Sequence, residues 1–575
     1  MPNLSTVETT ASSISSASPL RSYACYGSSY RVTTRRSTPI HKGGGSYRVS
    51  SENLGQHFGL VAGAALLIGY VLTVAVSVSA ASSAIIAMAP ATAHYAVHMA
   101  VGAVLLIAFV NLRGAKESAL VFGVPTYSFV VLISILILVG LLQATGLGGA
   151  ASRGPVQYAD ALESTVTLSG LAFFFFIFKA FAAGCTALTG TEAIADGVLA
   201  FRAPEARNAA RTLVAMGVIL SGLFLGLSWL AFHYGIRPEE LYVDGKVNEN
   251  YRTVVAQIAA HIFGGENVGF YLTQGATALI LVLAANTGYA DFPRLSMFIA
   301  RDGYMPRQLT GLGDRLVYQN GILLLSLLSV LLIVAMGADT HALLPMYAIG
   351  VFASFTLSQA GMVAWWKKQG RRSWKKHVSL FGAIVCGIVA LVQLVTRWSE
   401  GSWLTVLALA VVMYLFFSIK RHYNYLGRKL NIREGDEVAD YTTTVLLLVP
   451  RLHRGLLKAI SYARALSKDV RAVHVTLDPS GVSVVKEQWM QFGSDIPLVI
   501  LESPYRSLVR PIVEYVDQAI AESGGENHMV TVIVAEAVPK YRIQQILHSN
   551  LALFLKIALG TRRNVVISNV RYFLD

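Results

Sequence analysis

Residues 53–112 carry no lysine, arginine, aspartate or glutamate. A membrane-crossing helix needs about 20 mostly apolar residues, so this gap is long enough for two crossings. Further charge-free runs cover 118–152, 212–236, 267–290, 316–338, 340–366, 378–396 and 401–419. One more apolar stretch, 168–201, is interrupted by Lys179, Glu192 and Asp196. Backbone groups in hydrocarbon must bond internally, so each run reads as a helix and ten spans are expected. Charged residues make up only 14% of the chain, against about 25% in soluble domains, which excludes a wholly soluble protein. The three cysteines, Cys25, Cys185 and Cys386, are too few and too scattered for a disulfide framework or a four-ligand zinc site.

The formal net charge of +14 would point to nucleic acid in a soluble protein, but here its distribution favours a membrane explanation. Four alternate inter-span loops hold fifteen cations: Arg113 and Lys116; Arg202, Arg207 and Arg211; Arg294, Arg301, Arg307 and Arg315; and six between Lys367 and Lys376. The loops between them hold five: Arg153; Arg237, Lys246 and Arg252; and Arg397. The richer side is therefore expected to be cytoplasmic. On that assignment the first visible span runs outward, and the residues after the last span lie in the cytoplasm. No nucleic-acid partner is expected.

The two ends differ from the middle. Residues 1–43 are rich in Ser, Thr and Arg and read as a disordered or aberrant tail. Without an apolar core of seven or more residues they are not a signal peptide. Residues 44–421 form the transmembrane part. From 437 to 575, short β-rich runs at 442–450, 472–477, 496–501, 529–535 and 564–570 alternate with amphipathic stretches such as 456–466 and 507–520. Strands alternating with helices predict an α/β domain with a parallel sheet. It contains no GxGxxG or Walker A sequence, so nothing in it predicts an enzyme, a catalytic residue or a cofactor.

The interrupted span is the most informative stretch. Its middle, residues 179–193, clusters Gly184, Gly190 and three threonines, Thr186 among them, between Lys179 and Glu192. Glycines let the backbone leave the helix. A helix broken near the membrane midplane frees carbonyls that can coordinate a cation, and its half-helix ends carry partial charges. Intramembrane Lys179 and Glu192 are costly unless paired or facing a cavity. The alternative is close helix packing by small residues. In the first span Tyr70, Thr73 and Ser77 share one helical face, which must meet protein or water. Tyr347 follows Pro345, which frees a backbone carbonyl.

These residues sit in blocks that resemble the amino acid–polyamine–organocation superfamily. The blocks are residues 43–55 (Gly43-Gly44-Gly45-Ser46-Tyr47-Arg48 onward), residues 67–77 (Leu67-Ile68-Gly69-Tyr70-Val71-Leu72-Thr73-Val74-Ala75-Val76-Ser77), residues 184–193, residues 202–210 (Arg202-Ala203-Pro204-Glu205 onward), residues 291–296 (Asp291-Phe292-Pro293-Arg294-Leu295-Ser296) and residues 301–308 (Arg301-Asp302-Gly303-Tyr304-Met305-Pro306-Arg307-Gln308). Within the superfamily the chain is most similar to permeases that include KimA-type potassium importers, over about residues 43–575. The resemblance implies a mostly α, LeuT-like bundle with ten of twelve spans present and a C-terminal cytoplasmic domain of universal-stress-protein type. It implies proton-coupled uptake of a small solute by alternating access. Tyr70, Thr73, Ser77, Thr186 and Tyr347 become substrate-site residues, with oxygens suited to potassium. It also implies a homodimer inhibited by cyclic di-AMP, with Arg307 as a contact for that anion. Membrane lipid is the remaining partner.

Two departures qualify the resemblance. The family pattern has an aspartate where Gly69 stands. It also places two spans ahead of the three glycines, whereas residues 29–43 contain no apolar stretch, so an altered reading frame or misplaced start is expected there. Two other functions stay open: an amino acid permease, and a non-transporting membrane anchor with a nucleotide-sensing domain.

Overall fold

A computed structural model describes residues 45–114, 119–146, 170–185, 194, 201–202, 204–239, 241–243, 246–248, 251–313, 317–370, 374–432, 438–476, 482–492, 495–503, 507–523, 527–538 and 551–574. Contacts divide the chain into two compact units, Met1–Leu430 and Asn431–Asp575.

The first unit is helical. A short α1 (Gly45–Asn53) leads into α2 (Gln56–Met88), then α3 (Ala96–Leu112), α4 (Ala119–Thr145), α5 (Leu171–Cys185) and α6 (Glu205–His233). After a small hairpin of β1 (Tyr242–Val243) and β2 (Lys246–Val247) come α7 (Val254–Phe263), α8 (Val268–Arg301), α9 (Gln319–Ala335), α10 (Thr340–Lys368), α11 (Trp374–Thr396) and α12 (Trp403–Leu430). Helices occupy all ten apolar stretches, and eight are long and apolar enough to cross a membrane. The described part of α5 and the 17-residue α9 are shorter.

The centre of this unit is α2. In its most apolar window 78% of residues are buried, against 28% for α3, 17% for α4 and 11% for α6. A helix that is apolar all round belongs inside a bundle, and α1, α3, α8, α9, α10 and α12 all pack on α2. A second, smaller core forms around α7, where Ile258 and Ile262 meet Ile133, Leu136, Leu230 and Phe270. The sequence reading assigned this segment to a loop. Yet α7 carries ordinary helix signals: the Thr253 side chain accepts from the Ala256 N–H, and Gly264 ends the helix with a left-handed φ of 86°. At ten residues it is too short to cross a membrane.

The second unit contains β3 (Thr442–Leu448), α13 (Arg454–Leu466), β4 (Val470–Thr476), α14 (Val482–Phe492), β5 (Leu498–Glu502), α15 (Val509–Ser523), β6 (His528–Val538), α16 (Leu551–Leu559) and β7 (Val565–Phe573). The five strands are all parallel, in the order β5-β4-β3-β6-β7. Alternate residues of β3 enter different cores. Val445 and Leu447 pack with α13 and Trp489 of α14. Leu446 and Leu448 pack with Ile512 and Val516 of α15 and Leu555 of α16. A sheet buried on both faces explains why its strands read as nearly continuous apolar runs.

Candidate functional site

The candidate site is built around the middle of α2. Tyr70 and Ser77 are buried and Thr73 is half-buried. The Thr73 hydroxyl donates to the Gly69 carbonyl at 2.9 Å, leaving its lone pairs available. Two glycines bring neighbouring helices onto this level. A Cβ at Gly350 of α10 would lie 3.1 Å from the Ala65 carbonyl oxygen and 3.8 Å from the Gly69 nitrogen. A Cβ at Gly288 of α8 would lie 3.3 Å from the Tyr70 carbonyl oxygen and 2.9 Å from Val74 Cγ2. Tyr347 is one turn before Gly350 and is buried in the same core as Tyr70. Thus α10 carries Tyr347 to the level of the Tyr70–Thr73 segment.

Two prolines loosen the backbone nearby. Pro345 in α10 and Pro293 in α8 lack an N–H, so the carbonyls of His341 and Tyr289 lose their helical donors. Just after the first of these breaks, the Thr405 hydroxyl of α12 donates to the Met346 carbonyl at 3.1 Å. The Tyr289 phenol reaches the Val104 carbonyl at 3.3 Å and shares a 2.9 Å hydrogen bond with Ser326. The groups contributed by Tyr70, Thr73, Ser77 and Tyr347 are neutral hydroxyl oxygens. Such oxygens can replace part of a monovalent cation's hydration shell. Among the described residues an added Cβ at Gly69 would meet only Val351 Cγ2, at an ordinary 3.6 Å, so these neighbours do not demand a glycine there.

The other expected residues are more dispersed. Thr186, Gly190 and Glu192 lie outside the described residues. The helix α5 runs unbroken through Gly184 to Cys185, so a departure from helical geometry does not begin at Gly184. Among the described residues no atom lies within 4 Å of a Cβ position at Gly184. Lys179 is paired: its ammonium lies 2.7 Å from Glu400 Oε1, and Arg397 lies 3.4 Å from the other carboxylate oxygen. Arg307 is exposed, its guanidinium lies 4.7 Å from the centre of the Tyr423 ring, and its backbone N–H donates to the Tyr423 phenol oxygen at 3.1 Å.

One polar cluster was not foreseen. The fully buried Tyr47 of α1 donates to Asp302 Oδ2 at 2.5 Å, and Gln56 donates to the same phenol at 3.2 Å. Burial, then the neighbouring carboxylate, push the Tyr47 hydroxyl well above its ordinary pKa, so it stays a proton donor. From α12, Lys420 donates to the Asp302 carbonyl at 2.7 Å and sits 4.8 Å from the centre of the Tyr304 ring. Both Tyr47 and Asp302 fall in sequence blocks already singled out, but nothing in the sequence paired them.

Residues 28–420 match the family profile described as amino acid permease. Residues 441–572 match the profile described as KimA potassium transporter C-terminal domain. Over 534 residues the chain is 40% identical to the potassium transporter KimA of Bacillus subtilis (strain 168), an alignment covering 92% of this chain and 85% of that relative.

Proposed function

Because this chain belongs to the amino acid permease family of the amino acid–polyamine–organocation superfamily, a family of membrane transporters and not of enzymes, we propose that it carries potassium ions into the cell by proton-coupled alternating access. One observation carries this reading: a permease match and a potassium-transporter C-terminal-domain match follow one another in a single chain. The chemistry of the α2 centre fits it. Potassium is held by several neutral oxygens, and Tyr70, Thr73, Ser77 and Tyr347 offer hydroxyls on two helices in contact. Thr186 would add a further hydroxyl from the segment after α5. An amino acid would instead need donors for its carboxylate and an acceptor for its amine at one site.

In this reading the second unit is cytoplasmic, pairs two copies of the chain, and responds to cyclic di-AMP. A doubly wound parallel sheet whose order reverses at β3 supports ligand binding there, because such sheets bind at the carboxyl ends of the strands flanking the reversal. Separately from the sheet, the exposed Arg307 is proposed as a cationic contact for a cyclic di-AMP molecule. Among the ionisable groups within the spans, which include Asp196 and the buried Asp291, Lys179 and Glu192 flank the glycine–threonine segment and are proposed to serve the coupling proton.

The test is complementation of cells that lack their own potassium importers, with rubidium uptake measured under an imposed pH gradient. Uptake that falls at least tenfold in Thr186→Ala and Tyr70→Phe, and that a protonophore abolishes, supports the reading. Uptake of a labelled amino acid without rubidium would replace it with the amino acid permease. Binding of cyclic di-AMP without any flux would replace it with the membrane sensor.

A further inference from the structure

On α10, Tyr347, Gly350, Ser354, Ser358 and Gly361 follow one another at helical spacing and share one face. The two glycines fix what that face touches. Gly350 lies against the backbone of α2, as described above. A Cβ at Gly361 would lie 3.1 Å from the Val49 carbonyl oxygen of α1. Ser354 and Ser358 lie between these two contacts, so they are pressed into the seam that α10 forms with α1 and α2. Ser354 is 0% exposed and Ser358 2% exposed, and Ser50, the neighbour of Val49, is 0% exposed. Among the described residues none of these three hydroxyls has a hydrogen-bond partner.

Several other hydroxyls of this unit are satisfied within their own helices. Buried hydroxyls on membrane helices ordinarily bond the carbonyl one turn back. Thr356, on another face of α10, donates to the Phe352 carbonyl at 2.7 Å. Ser326 on α9 and Ser82 on α2 bond in the same way. Among the described residues the hydroxyls of Ser51, Ser79, Thr340 and Thr396 are also buried without a partner, but Ser50, Ser354 and Ser358 are the three that line one helix–helix seam. From Tyr347 to Gly361 the helix rises about 21 Å, at 1.5 Å per residue. This is enough to run from the level of Tyr70 to one surface of the bundle. At that surface lies the Tyr47–Asp302 hydrogen bond. Tyr47 belongs to α1, which packs on both α2 and α10, and Asp302 is held from behind by Lys420 of α12.

We propose that this serine-lined seam is the closed exit path for the cargo on the side expected to be cytoplasmic, and that the Tyr47–Asp302 hydrogen bond is its latch. When Tyr47 releases Asp302, α1 swings from α10. The Ser50, Ser354 and Ser358 oxygens then meet water and the departing cation in place of one another's apolar neighbours. The proposal rests on the transport reading for the identity of the cargo, but the opening of the seam can be measured without transport.

The test uses the full chain with Cys25→Ser, Cys185→Ser and Cys386→Ser, and with Ser358→Cys as its single thiol. Inside-out membrane vesicles are treated with a membrane-impermeant maleimide, and rubidium flux is measured in parallel. The thiol is expected to react slowly while Tyr47 is intact and at least tenfold faster after Tyr47→Phe. Asp302→Asn is read the same way and takes over should Tyr47→Phe fail to run as a monodisperse species. In the parent chain, Ser354→Ala with Ser358→Ala is expected to slow rubidium flux at least tenfold with no fall in thermal stability. An unchanged labelling rate in a folded latch variant overturns the latch. Unchanged flux in the double alanine variant overturns the path, because serines that merely pack would be replaced by alanine without loss. Latch-dependent labelling without rubidium flux leaves the seam standing and removes the transport reading. Flux with labelling indifferent to the latch does the opposite.

Discussion

Gly288 of α8 lies directly on the carbonyl of Tyr70, with Val74 beside it, so the central helix is touched at the candidate site through backbone as well as side chains. The geometry ranks three glycines. Gly69→Ala adds a methyl at an ordinary 3.6 Å contact and removes a flexible residue from a helix, so thermal stability is expected to hold or rise by up to about 1 kcal/mol. Gly350→Val and Gly288→Leu push a side chain into α2 and are expected to cost about 1–3 kcal/mol or more. Thermal unfolding in detergent of the three variants checks the order. A Gly69→Ala variant less stable than the other two would contradict it.

Thr73 allows function and stability to be separated. Its hydroxyl donates to Gly69, a bond already supplied within the helix, so Thr73→Val is expected to change stability by less than about 1 kcal/mol. Removing its oxygen from the cation's reach should nonetheless reduce rubidium uptake at least tenfold. Thr73→Ser, which restores the oxygen, should recover most of it. The measurement is initial uptake rate beside a melting curve for each variant.

The ion triad of Lys179, Glu400 and Arg397 predicts an asymmetry. Lys179→Met leaves Glu400 still paired with Arg397, whereas Glu400→Gln strips both cations of their partner. Glu400→Gln is therefore expected to lower the melting temperature more. The pair is over a third exposed, so the coupling in a double-mutant cycle should be near 1 kcal/mol. Equal effects of the two single changes would rule out the role of Arg397.

In the second unit Arg562 donates to both carboxylate oxygens of Asp517, each at 3.0 Å, and holds that carboxyl below its ordinary value. A carboxyl depressed by folding adds stability that is fully present above its unfolded pKa of about 3.9 and is lost as pH falls through the folded value. Asp517→Asn should therefore be less stable than the parent at neutral pH by under about 1 kcal/mol, the partial exposure of the pair limiting its worth. The difference should vanish as the pH is brought to about 2, where both states bind the proton. Chemical denaturation of the full chain at the two pH values reads this difference.

Much of the fold was legible because the membrane imposes one strong rule. Charge-free runs located every long helix, and the five β-rich runs of the second unit each became a parallel strand. On α2 hydropathy could not select a face, since nearly every side is apolar and buried. The polar positions Tyr70, Thr73 and Ser77 did so instead. The pairing of Tyr47 with Asp302 spans 255 residues and that of Lys179 with Glu400 spans 221, and no local pattern encodes such distances. The helix α7 was hidden for a different reason. It lies among charged residues, Arg237 to Glu266, whose spacing reads as a loop, although Thr253 and Gly264 mark its two ends.

The enclosure of α2 has a consequence for how the protein is made. Its neighbours α8 and α10 leave the ribosome some two hundred and more residues later, so the helix must wait in the bilayer with its future contact surfaces bare. Because its circumference is almost wholly apolar, and hydroxyls such as those of Thr73 and Ser82 are turned back onto their own carbonyls, lipid can serve as a provisional neighbour until the bundle closes around it.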